Sequence, residues 1–103
     1  MTRLTIRRGG TKRVRATFFA DQSAGIARNL SGLTLILIDQ SPNIAPPALA
    51  IVPPATGGQI EVLWTDEQTA PLAPGAGKVW LTLGFENDSG EREVLPTLTF
   101  DVE

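Results

Sequence analysis

Histidine, cysteine and tyrosine are absent from this 103-residue sequence, and methionine occurs once. Without histidine or cysteine, Ser-His-Asp and Cys-His nucleophiles, thiolate chemistry, disulfides and ordinary zinc sites are excluded. A lysine-activated serine is excluded too, because none of Ser23, Ser31, Ser41 and Ser89 has a lysine three residues on. Long apolar runs are scarce: the longest, Ile44 to Ala55, is broken by Pro46, Pro47, Pro53 and Pro54 and cannot be a spanning helix. Membrane insertion is therefore not expected. Met1 to Arg8 holds no apolar signal core, so export is not expected, and the Asn29-Leu30-Ser31 sequon carries no glycan in this reading. A domain this small without disulfide staples suits a cell interior or an assembly supported by neighbours.

What is present fits one folded domain spanning residues 1–103, with 42% hydrophobic and 19% charged residues, too apolar for a disordered tail. Its charge is bipolar along the chain. Residues 1–28 hold seven cations against Asp21, a net of +6, whereas residues 29–103 hold only Lys78 and Arg92 against ten acids, a net of −8.

The periodic segments all have period two. Leu4 and Ile6 alternate with Arg3, Thr5 and Arg7, and Val14, Ala16 and Phe18 alternate with Arg13, Arg15 and Thr17, across Gly9-Gly10. This pattern predicts a hairpin whose basic face carries Arg3, Arg7, Arg13 and Arg15. Leu33 to Ile38 is apolar on both sides, the pattern of a central strand. Ala48 to Val52 lies between two Pro-Pro pairs, which predicts a short edge strand. Further strands are expected at Ile60 to Thr65, Val79 to Phe85 and Val94 to Val102. The predicted fold is all-β, an immunoglobulin-like antiparallel β-sandwich of about seven strands. Leu35 or Ile36, with Trp64, Leu81 and Phe100, is expected to be almost fully buried.

Turn chemistry divides the strands. Asp21-Gln22-Ser23-Ala24-Gly25 and Asn87-Asp88-Ser89-Gly90 reverse the chain, and Thr65-Asp66-Glu67-Gln68 forms a capping box for one helical turn that Pro71 and Pro74 end. In this order, Arg8-Gly9-Gly10-Thr11, Leu30-Ser31-Gly32, Thr65 to Ala70, Pro74-Gly75 and Asn87 to Gly90 resemble the small immunoglobulin-like domain of phage baseplate and tail-associated proteins, notably the N-terminal domain of upper baseplate proteins. The chain departs from that pattern at Gly10, where an acidic residue is common, and in the longer step from Gly75 to Trp80. The resemblance implies a virion structural protein made in the bacterial host cytoplasm. Because the chain stops at Glu103, a stand-alone accessory subunit is expected, without the following segments that hold receptor-binding proteins in that family.

Candidate sites follow from composition. The basic face suits an acidic protein surface, including the acidic remainder of an identical subunit; nucleic acid is not the expected partner, because interleaved aromatics are missing. Trp80 falls at the outward parity of its strand and is the candidate interface aromatic, whereas Trp64 falls at the inward parity. Gly75-Ala76-Gly77-Lys78 is not a phosphate loop, since Leu72 and Val79 stand where that motif needs Gly and Ser/Thr. Glu86 to Glu91 carries oxygen ligands but reads as a turn, and Asp66-Glu67 reads as a helix start, so no metal, cofactor or catalytic residue is expected. The expected function is non-enzymatic: a structural protein of a phage or prophage tail or baseplate, contacting other virion proteins and itself in a symmetric particle. The alternative is a carbohydrate-binding or host-surface-binding sandwich module.

Overall fold

The computed structural model describes residues 4–103. Its strands are β1 (Leu4–Ile6), β2 (Lys12–Thr17), β3 (Phe19–Asp21), β4 (Ile26–Ala27), β5 (Thr34–Gln40), β6 (Ala48–Ile51), β7 (Gln59–Trp64), β8 (Gly75–Glu86), β9 (Arg92–Val94) and β10 (Leu98–Val102). A 3-10 turn, Ala55–Gly57, precedes β7, and the helical turn α1 (Asp66–Thr69) follows it. One sheet has the order β1-β10-β8-β5, with β9 also on β8; the other has the order β2-β7-β6; β3 and β4 form a separate ribbon. This is the all-β sandwich expected from the strand pattern. Each of the seven expected strands has a counterpart. The additions are the short β3–β4 ribbon and β9, which is separated from β10 by Leu95, Pro96 and Thr97 because proline cannot donate to a ladder.

Alternation builds the core. In β7, Ile60, Val62 and Trp64 are buried while Gln59, Glu61 and Leu63 turn outward; β8 supplies Val79, Leu81, Leu83 and Phe85 from the facing sheet. Trp64 meets Phe100 edge to face, 5.2 Å between centroids, and its Nε1 donates to Ala45 O at 3.0 Å. The buried indole therefore has both an aromatic partner and an acceptor. Trp64, Leu81 and Phe100 are each fully buried, as their parity predicts. The capping box forms as expected: Thr65 Oγ1 accepts from Gln68 N, and Gln68 Oε1 accepts from Thr65 N at 2.8 Å.

Two expectations need correction. Gly9-Gly10 does not close a β1–β2 hairpin: β1 pairs in parallel with β10, Leu4 opposite Phe100 and Ile6 opposite Val102, while β2 pairs with β7 in the other sheet. The turn, with Gly10 N donating to Arg7 O, carries the chain from one sheet to the other. The two strands thus bury their apolar faces from opposite sides of the core. Likewise β5 is not a central strand. It pairs with β8 alone and forms an edge, so Leu35 and Ile36 are half-buried rather than buried.

Candidate functional site

The outward face of the β2-β7-β6 sheet carries Arg13 and Arg15, whereas Arg7 follows β1 of the other sheet, so the expected single basic hairpin face does not form. Arg13 and Arg15 lie two apart on β2, and Arg15 faces Glu61 directly across the β2–β7 ladder. The Nε atoms of both arginines reach the same oxygen, Glu61 Oε1, each at 3.1 Å. Arg7, beyond the end of β1, places its Nε 3.6 Å from Glu103 Oε2, and Arg8 Nε donates to Glu103 O. Arg3 lies outside the described residues. Acids from the second half of the sequence therefore fold back onto the basic first half within one chain.

A further cluster joins residues far apart in sequence. Both terminal nitrogens of Arg28 donate to the Glu93 carboxylate, at 2.6 and 2.8 Å, and the guanidinium sits 5.3 Å from the centroid of the Phe85 ring. Phe85 in turn meets Phe18 edge to face at 5.4 Å. These hydrogen bonds hold Glu93 below the usual glutamate range and push Arg28 up. No sequence signal singled out this cluster.

Trp80 lies on the other side of the molecule from Arg13 and Arg15. It is half-buried on the outward face of β8, between buried Val79 and Leu81, opposite Thr99, and its backbone N–H donates to Ser41 Oγ at 3.2 Å. Farther along this face, Ile36, Gly84 and Val94 form one cross-strand row, with Val94 62% exposed. A Cβ on Gly84 would lie 3.0 Å from the Ile38 side chain and 2.7 Å from Glu93 O, so the missing side chain lets Ile38 and β9 close over this position. The result is an outward surface with an unusual apolar content: Trp80, Ile36, Ile38 and Val94, interrupted by Thr82 and Thr97, whose hydroxyls hydrogen-bond at 2.7 Å. The exposed aromatic Phe19 sits on the β3–β4 ribbon, a different sheet from Trp80, so the two do not build one stacking platform.

The remaining motifs are engaged locally. Gly77 N donates to Asp101 Oδ1 at 2.8 Å at the start of β8, so this amide faces the chain's own carboxylate. Asn87 Oδ1 accepts from Ser89 N and Glu91 N, and Glu86 Oε2 accepts from Arg92 Nε at 2.7 Å. That is turn and ion-pair chemistry. Among the described residues, no group of three or more His, Cys, Asp or Glu side chains is placed to hold a metal ion, and no helix is long and apolar enough to cross a membrane. Among the depressions of the surface are an open groove of about 710 Å³ along Pro46, Pro47, Leu63 and Pro71, and a smaller apolar one of about 190 Å³ between the sheets at Ala16, Phe18, Leu95 and Leu98.

No family model, curated protein or solved structure matches the chain.

Proposed function

We propose that this protein is a non-enzymatic assembly module, a structural protein of a phage or prophage tail or baseplate that works through contacts with other virion proteins and with itself. The observation that carries the assembly reading is the outward surface of the larger sheet, where half-buried Trp80 shares a face with Ile36, Ile38 and exposed Val94. Aromatic anchors among smaller apolar side chains are the surface type that association desolvates. The assignment to a virion rests on the ordered motifs from Arg8-Gly9-Gly10 to Asn87-Asp88-Ser89-Gly90 that resemble the phage domain. The basic face has a secondary role in this reading. With Glu61 and Glu103 already beside its arginines, it contributes orientation more than affinity.

The test is incorporation into particles. Virions induced from the strain that encodes the chain are purified, and its copy number is measured by quantitative mass spectrometry beside a Trp80→Glu variant whose fold is verified by circular dichroism. The expected result is a fixed copy ratio for the wild type and a loss of about tenfold or more for the variant, as removing an interface anchor costs affinity on that scale. Absence of the wild-type chain from purified particles overturns the virion reading.

A further inference from the structure

We infer that β5 pairs antiparallel with β5 of an identical subunit about a two-fold axis, joining the two larger sheets into one. The inference deepens the assembly reading above and rests on it. It begins with a mismatch between pattern and position. Leu33 to Ile38 is apolar on both faces, the composition of a strand with neighbours on both sides, yet β5 has β8 on one side only. In consequence Leu33, Leu35, Ile36, Leu37 and Ile38 all remain half-buried.

The backbone makes the same point. Along a strand, alternate residues aim their N–H and C=O groups at opposite neighbours. Among the described residues, no backbone hydrogen bond outside the β5–β8 ladder involves Thr34 to Asp39. The edge therefore presents open donors and acceptors to an incoming strand.

The other sheet edges carry the devices that discourage pairing. Edge strand β2 bears Lys12, Arg13 and Arg15; β6 is bracketed by Pro46-Pro47 and Pro53-Pro54; β1 is three residues long. On β5 the only charge is Asp39, which follows a register irregularity between Leu37 and Asp39. The regular part of the edge is thus Thr34 to Leu37, uncharged and free of proline, with Leu33 just ahead of it.

A second copy fits this segment because the segment complements itself. Centred on Leu35, antiparallel pairing sets Leu33 opposite Leu37 on the inward side and Thr34 opposite Ile36 on the outward side. Asp39 falls opposite Ser31, beyond the paired stretch, so no like charges meet. Such a contact is isologous and closes after two subunits. It also places the Ile36 side chains of the two copies at diagonal positions on the outward face.

Charge-swapped variants test it, because Thr34 and Ile36 both face outward and tolerate polar substitution more readily than the leucines. Sedimentation equilibrium of the wild type up to about 1 mM, a range in which even weak specific association is populated, is expected to show a concentration-dependent doubling of mass. Thr34→Lys combined with Ile36→Lys sets lysine against lysine across the axis, and Thr34→Glu combined with Ile36→Glu does the same with carboxylates. Each variant is expected to remain monomeric, and an equimolar mixture is expected to dimerise. Amide exchange on the unaltered chain gives a readout that needs no variant: Thr34 to Leu37 are expected to gain protection as concentration rises. A wild type that stays monomeric with unchanged exchange overturns the inference, as does a lysine variant that dimerises as well as the wild type. Either outcome beside normal incorporation into particles leaves the assembly reading standing, which separates the two failures.

Discussion

Arg15 and Glu61 face each other across the β2–β7 ladder, Nε to Oε1 at 3.1 Å, and the same oxygen lies 3.1 Å from Arg13 Nε. One carboxylate thus serves two guanidiniums on an outward sheet face. The arginine side chains are 57% and 59% exposed, whereas that of Glu61 is 22% exposed. Water screens the arginines, so Glu61→Gln is expected to change the unfolding free energy by less than about 1 kcal/mol. Urea unfolding followed by circular dichroism checks this. A loss of several kcal/mol would make the cluster a structural support instead of a surface feature.

Trp64 has the opposite standing. It joins the two sheets through Phe100 and donates to Ala45 O, with no exposed surface. Trp64→Ala is expected to cost about 3–5 kcal/mol, a large share of the stability of a domain this size. Trp64→Phe keeps much of the apolar volume but removes the donor to Ala45 O, and should cost less than the alanine variant. Denaturant midpoints for the three proteins should fall in the order wild type, Phe, Ala.

Gly58 is a backbone position where glycine is required on two counts. Its φ is +68°, and an added Cβ would lie 2.5 Å from Phe18 O and 2.9 Å from Arg28 O. Its own carbonyl accepts from Phe18 N at 2.8 Å, tying the entry to β7 to the end of β2. Gly58→Ala is expected to destabilise by at least about 2 kcal/mol, because the left-handed conformation and the steric conflict add. Gly25, also at positive φ but with open space around its Cβ position, gives the control: Gly25→Ala carries the conformational cost alone.

Much of this was readable from residue order, and the exceptions share a cause. The parity of Ile60, Val62 and Trp64 identified the inward face of β7, because period-two alternation reports directly on which side is dry. The Thr65–Gln68 capping box was readable because both partners lie within one turn. The edge position of β5 was not, since apolar residues on both faces cannot distinguish a neighbour in the same chain from one in another. Gly9-Gly10 signals a reversal but not which strands then pair, and here Leu4 and Ile6 find partners in β10 almost a whole chain length away. Arg28 and Glu93 stand 65 positions apart with no local pattern linking them. For the same reason the bipolar charge along the sequence did not disclose that Glu61, Glu93 and Glu103 return to the arginines of the first segment.

The Arg28–Glu93 pair should leave a mark on acid stability. Glu93 is held below its ordinary value of 4.5, first by the hydrogen bonds from Arg28. A carboxylate depressed on folding contributes stability that is present above its unfolded value and lost as pH falls through its folded value. With the Glu93 side chain 48% exposed, solvent screening limits the effect to about 1 kcal/mol or less. Wild type and Glu93→Gln should therefore differ most at neutral pH, the gap narrowing once pH falls below the ordinary glutamate value and closing only when the folded carboxyl is protonated as well. Asp21, lowered by its hydrogen bonds from Ser23 and Ala24, supplies a similar acid dependence in both proteins and cancels in the comparison. A gap that persists unchanged into acid would assign the Glu93 contribution to something other than its ionised form.

Nucleic acid tests the alternative use of the arginine face. A binding surface for duplex DNA must neutralise several phosphates, and each released counterion steepens the salt dependence. Here Arg13 and Arg15 share Glu61, Arg7 lies by Glu103, and Arg28 is clamped by Glu93. A phosphate approaching these guanidiniums meets a carboxylate already in place, and the chain as a whole carries a net charge of −2. The field therefore gives a polyanion little attraction to compensate for displacing those acids. Fluorescence anisotropy with a labelled duplex is expected to detect no binding tighter than about 10⁻⁴ M at physiological salt, the weak end of non-specific association. Combining Glu61→Gln with Glu103→Gln removes two of the three acids, so any latent affinity should emerge there first. Micromolar binding by the unaltered chain, with a log–log salt slope of about −3.6 to −5.4 for four to six neutralised phosphates, would instead make the arginine face a nucleic-acid surface and displace protein assembly as its role.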